Sequence, residues 1–233
     1  MYLEISLNNV TIPSDRKRAI VVPIYKGGVR SAVTNYRPIS LTSVVCKQME
    51  HVIAGYLRQF WDKNHWLYEG EHGFRPGYSC ESHVFTVCQD VADLLDEGLG
   101  IDAIIIYFSK AFDLVPHDRL LTKLAASVVD SREVVWLRVL LVGRTQRVRV
   151  GGQLSKEVKV TSCVPQGGVL GPLLFLVYVN DICRNIDSSI RFFAGDCIAY
   201  RKTISKNDIK KLQTDMSTLG GVGGRKWDEN TSR

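Results

Sequence analysis

Apolar and polar positions alternate along this chain with two periods, and the period separates helices from strands. The run "RAIVVPIYKGG" is extended and closed by Gly27-Gly28, which predicts a strand and a turn. After "NYRPISL", where Pro38 is expected to fix a bend, Val45, Met49, Val52, Ile53 and Leu57 recur at helical spacing. "EGEHGFRPGYSC" reads as a loop, with three glycines and a proline. "SHVFTVCQDVADLLDEG" reads as a second amphipathic helix closed by Gly98. "IDAIIIYF" is continuously apolar and β-branched, as expected of a strand buried on both faces. Pro116 opens a helix through "HDRLLTKLAAS", with Asp118 in the first turn where the helix dipole favours an acid. "TQRVRVGGQLSKEVKVTS" predicts a hairpin with Arg147 and Arg149 on one face. "CVPQGGVLGP" leads into the apolar "LLFLVYVNDICRNI", and "IRFFAGDCIAYRK" is a second hairpin around Gly195-Asp196. A last helix, "KNDIKKLQTDMSTLG", is expected to end near Leu219. Strands and helices mix without strict βαβ alternation, so the fold class is α+β.

Composition narrows the picture. The 233 residues are 45% hydrophobic and 23% charged, enough for a sizeable core. The net charge is +6, and residues 1–60 hold eight Lys or Arg against three acids, which points to a polyanionic partner. Six cysteines without metal-ligand spacing read as reduced thiols. No signal pattern or membrane-length apolar stretch is present, so the expected location is intracellular, nucleus or cytoplasm, with no membrane partner.

Four stretches then stand in order: "NYRPISL", "FSKAFDLVPH", "VPQGGVLGPLLF" and "FAGD". Each alone is an ordinary strand end, loop or Gly-Pro turn. Together, from about Ile20 to about Gly220, they resemble the reverse-transcriptase domain of jockey-like non-LTR retrotransposons. The resemblance implies a right-hand polymerase fold, with fingers over residues 1–100 and palm over 101–219. It also implies an RNA template, a DNA primer and Mg²⁺. In that chemistry two ions about 3.5–4 Å apart serve the primer hydroxyl and the triphosphate, so carboxylates must pack around them. The family supplies one Asp on the strand before "FSKAFD" and two in the "FADD" hairpin.

Here Tyr107 stands at the first of those positions and Gly195 at the second, leaving Asp196 as a partial metal site. Asp113 lies six residues past Tyr107, beyond a turn, and does not replace it. A phenol is a weak ligand for Mg²⁺ and bulkier than a carboxylate. If each lost acid costs about 3 kcal/mol of transition-state stabilisation, the two together slow the reaction about 10⁴-fold. The expectation is an inactive copy with no productively bound Mg²⁺.

Other positions carry over from the resemblance. Lys26 and Arg37 match residues that hold the incoming triphosphate, a point charge and a bidentate fork. Phe112 matches the side chain that excludes a ribose 2′-hydroxyl, Gln166 and Gly167 flank the nucleotide, and Arg75 is a template contact. Cys163 stands where relatives carry Gly, and Gly168 where they carry Ser.

The stretch is expected to hold fingers and palm without a thumb, and its oligomeric state is not legible. Three readings remain: a polymerase fragment, a non-catalytic nucleic-acid-binding remnant with weak, sequence-independent affinity, and the product of a decayed element without function. Residues 220–233 match nothing in the family, whose members read something like "EWAVENGMKI" at this point. Read one nucleotide further on, the codons for Lys226 to Thr231 can encode "NGMKI". The tail is therefore expected to be off-frame and disordered. The coding DNA checks this: the shifted frame should encode a run from Trp to Ile.

Overall fold

The computed structural model describes residues 2–108, 110–127 and 129–222. In chain order the elements are α1 (Tyr2–Asn8), β1 (Arg18–Tyr25), β2 (Tyr36–Leu41), α2 (Val44–Lys63), α3 (Cys80–Asp96) and β3 (Gly100–Tyr107). Then follow α4 (His117–Ala126), α5 (Ser131–Leu141), β4 (Thr145–Val150), β5 (Gln153–Leu154), β6 (Val158–Lys159), α6 (Leu170–Val179), β7 (Ser189–Phe193), β8 (Asp196–Thr203) and α7 (Lys206–Val222). The chain forms two compact units. One draws on Met1–Leu67 and Lys110–Tyr178, the other on Tyr68–Ser109 and the chain from Val179 onward. Each uses two separate stretches of the chain.

The first unit packs helices beside a sheet of order β2-β1-β4-β5, with β6 also on β4. Pro38 does not bend the chain. It lies within β2, opposite Pro23 of β1, so the two missing N–H donors fall on one rung of an edge pair. α2 buries Met49, Ile53 and Leu57 of the positions at helical spacing, together with Trp61, whereas Val45 and Val52 are exposed. α5 has no counterpart in the sequence reading, although Asp130 caps its first turn and Leu137, Leu140 and Leu141 are spaced for burial. Its Trp136 is fully buried, and the indole N–H donates to Ser6 Oγ on α1 at 3.1 Å.

The second unit is the antiparallel sheet β3-β8-β7 between two helices. Cross-strand register puts Arg191 and Tyr200 on one face, where Asp90 of α3 accepts from both. Arg201 lies on the opposite face, 3.8 Å from Asp215 of α7, which also accepts from Ser188. A reciprocal Ser79–Ser82 capping box starts α3.

β3 is not buried on both faces, as its apolar run suggests. It is the edge of a three-stranded sheet: Ile106 is buried, whereas Ile105 is 79% exposed. α7 continues past Leu219 to Val222, and the expected off-frame tail beyond it lies outside the described residues. No helix among the described residues is long and apolar enough to cross a membrane, and all six cysteines are free thiols.

Candidate active site

In the second unit, β3 ends and β8 begins at one register position, Tyr107 opposite Asp196. Phe193 of β7 pairs with Asp196 on the other side, so all three side chains share one sheet face. Tyr107 is 69% exposed, and Asp196 is exposed as well. The turn between them is fixed by backbone: Phe108 N–H donates to Gly195 O at 2.8 Å, and Ala194 takes a left-handed φ of 57°. The donors at this point are one carboxylate and one phenol, with no side chain at Gly195. Among the described residues no three His, Cys, Asp or Glu side chains converge to hold a metal ion.

A carboxylate missed in the sequence reading braces this hairpin from behind. Glu71 is 4% exposed, and its Oε1 accepts from the N–H groups of Gly73 and Ala194, the latter at 3.2 Å. The same segment bonds along β7, His72 N–H to Phe192 O and Phe192 N–H to Gly70 O. Gly73 permits this closeness, since a Cβ there would lie 2.3 Å from Ala194 N. Burial raises the Glu71 carboxyl to about 7, against the opposing pull of its two N–H donors and Arg75. Arg75, the expected template contact, donates to Tyr68 O at 3.1 Å and lies over the Tyr78 ring, so it holds its own loop. His83 packs near Phe193, its pKa lowered by burial and partly restored by the charge of Asp196.

The first unit gathers the positions assigned to the nucleotide. Lys26 follows β1 in a tight loop, where its Nζ reaches Thr34 O at 3.4 Å. Arg37 sits exposed on β2 opposite Ile24. The loop of Gln166 and Gly167 is bonded to the same strand, Ser40 N–H donating to Gln166 O at 2.7 Å. Gly167 has φ 102°, and a Cβ there would meet Ser40 O at 3.0 Å. The small residue thus serves the loop's approach to β2. A second missed carboxylate, Glu50 on the apolar face of α2, accepts from Val169 and Leu170 at 2.7 and 3.1 Å and caps α6. Phe112 stacks on Phe175 of α6 with centroids 4.9 Å apart, and its carbonyl accepts from Val164. Asp113, beside it, has a pKa raised by burial and pulled back by Lys110 and Lys26.

Two sequence departures now have physical content. Cys163 adopts φ 107°, a conformation suited to the glycine of relatives and strained for any side chain. Gly168 lies where a Cβ would come within 2.9 Å of Glu50 Oε2. Arg147 and Arg149 do share a face of β4, but Glu157 lies 3.7 Å from Arg147 and offsets part of its charge.

Residues 24–222 match the family model described as reverse transcriptase (RNA-dependent DNA polymerase). The chain belongs to the reverse transcriptase family. It is 31% identical to the probable RNA-directed DNA polymerase from transposon BS of Drosophila melanogaster, over 94% of this chain and 26% of that protein. It is 29% identical to the RNA-directed DNA polymerase from mobile element jockey of the same fly, over 73% of this chain and 19% of that protein. The jockey-like resemblance therefore holds, and the chain spans about a quarter of the length of the curated relatives it matches. Among solved structures it resembles apo telomerase from Candida tropicalis, with TM-score 0.65 and 14% identity over 95% of this chain and 52% of that one. Telomerase from Candida albicans gives TM-score 0.66 and 11% identity over 95% and 44%. The fold is that of right-hand polymerases.

Two outcomes follow from these loops. Cys163→Gly should raise stability by about 1 kcal/mol, the relieved strain exceeding the lost thiol contacts, as a higher urea midpoint. The raised Glu71 value means the native state binds more protons than the unfolded chain between roughly pH 4.5 and 7. Stability should therefore fall as pH rises through that window, by at most about 3 kcal/mol. His72 and His83, both lowered by burial, act in the opposite sense. The measurement is accordingly the difference between wild type and Glu71→Gln, taken at pH 5 and pH 8, and the wild type should lose more.

Proposed function

We propose that this chain is a reverse-transcriptase domain of the non-LTR kind that retains nucleic-acid and nucleotide contacts and does not catalyse nucleotidyl transfer. One observation carries the reading: Tyr107 faces Asp196 across the strand pair, and Gly195 leaves the adjoining position without a side chain. The family generally works with Mg²⁺. A pair of ions needs several carboxylates to offset their mutual repulsion, and the donors here supply one. The residues present do not fit a two-metal site.

The remaining roles are assigned on the same footing. Residues 1–100 act as fingers and 101–219 as palm. Lys26 and Arg37 contact the triphosphate, Phe112, Gln166 and Gly167 border the nucleotide, and Arg147 and Arg149 contact backbone phosphates. An RNA template is the partner in view, supported by the fold shared with telomerase, one structure of which is a complex with a fragment of telomeric RNA.

One preparation of the protein tests both halves. On a primed RNA template with Mg²⁺ or Mn²⁺, no extension is expected. A template-dependent ladder that vanishes in Asp196→Asn would overturn the inactivity. By fluorescence anisotropy, a short single-stranded RNA should bind weakly, with log affinity falling linearly in log salt. Arg147→Gln with Arg149→Gln should reduce that slope. Affinity indifferent to salt would overturn the binding.

A further inference from the structure

We propose that Arg144 and Lys17 form a binding site for a phosphate-class anion, at the end of the sheet where β1 and β4 begin. The two strands run parallel, with Arg18 paired to Thr145, so the residues just before each start side by side. On the other flank of β4, Thr145 pairs with Lys159, and Val160 N–H donates to Arg144 O. Lys17 and Arg144 thus start side by side at this sheet corner, with Arg18 and Lys159 on the adjoining rung.

The guanidinium of Arg144 gives this corner its meaning. Arg144 is 3% exposed, and one nitrogen, Nη1, donates to Leu140 O at 3.3 Å. The other, Nη2, is buried with no acceptor. Lys17 is half-buried, and its Nζ donates to Val142 O at 3.2 Å. Its pKa is lowered first by burial and then by the charge of Arg144. Two cations are therefore held close together, Arg144 away from water and Lys17 partly so.

Available compensation falls short. The acceptors are carbonyls at the C-terminus of α5, whose dipole amounts to about half a negative charge against two positive ones. Among the described residues neither cation has an acid at ion-pair distance. Glu157 is engaged with Arg147, and Asp113 has Lys110 and Lys26 as its cationic neighbours. A buried guanidinium without a counter-charge is costly, so the missing partner is an anion with several acceptor oxygens. A phosphoryl group fits: one oxygen for the free Nη2 and another for the Lys17 ammonium. Its source is either free phosphate or the backbone of a nucleic acid, and the site does not depend on the function proposed above.

The test is thermal unfolding of the full chain in inorganic phosphate against chloride at equal ionic strength. Wild type should show a saturable rise of about 3–6 °C at ten times the dissociation constant. Lys17→Gln, at a half-exposed position that leaves the core intact, should abolish it. Arg144→Lys should weaken it, and Lys211→Gln on α7 should leave it unchanged. A short single-stranded RNA then separates the sources. If the site holds a backbone phosphate, Lys17→Gln lowers the slope of log affinity against log salt by about one. If it holds free phosphate alone, RNA binding is unaltered while the phosphate response is lost. No rise in phosphate beyond that in chloride, or a full rise retained in Lys17→Gln, overturns the proposal.

Discussion

A buried carboxylate accepting two backbone N–H groups recurs at the two loops this fold most depends on. Glu71 ties the segment before α3 to the tip of the β7–β8 hairpin, and Glu50 ties α2 to the start of α6. Glu50 reaches both of its donors from a distant part of the sequence, whereas Glu71 joins its near neighbour Gly73 to the distant Ala194. A carboxylate suits this task because it accepts twice without contributing a donor that would itself need burial. Removing either one would strand N–H groups away from water, at a cost of about 1–3 kcal/mol each. The positions of Asp196 and of the Gln166–Gly167 loop thus rest on residues that carry no chemistry themselves.

This arrangement accounts for what was legible beforehand. α2 and α3 announced themselves through helical spacing, and both hairpins through alternation around glycine turns. The short β2 did not, because Pro38 argues for a bend until Pro23 is seen opposite it and both missing donors share a rung. The apolar β3 run promised burial on two faces, but the number of strands beside it is a tertiary property invisible in eight residues. Among site residues, the changes at 107 and 195 were readable through the resemblance alone. Glu71 had no signal, because nothing local distinguishes it from the neighbouring Glu69. Glu50 had a faint one: an acid between Met49 and Ile53 on a face otherwise apolar.

Within the first unit Glu50, the close approach at Gly167 and the Phe112–Phe175 stack hold the loop before α6, and within the second unit Glu71 and Gly73 hold the β7–β8 turn. Cys163 at φ 107° is a structural position where strain coexists with the local bonds, since its N–H reaches Val115 O and its carbonyl meets His117. Packing tolerates such a change because the cost is a few kcal/mol spread over a domain.

The edge position of β3 has a consequence for handling the protein. Eight residues, Gly100–Tyr107, form the rim of the sheet, and no strand among the described residues pairs with their outer side. The segment carries Ala103, Ile104, Ile105 and Ile106 in succession and neither proline nor lysine to discourage a neighbour. Apart from Asp102, which accepts from Thr203, the rim is apolar, and such an edge is a template for cross-β stacking between molecules. In concentrated preparations this strand offers a route to edge-to-edge association.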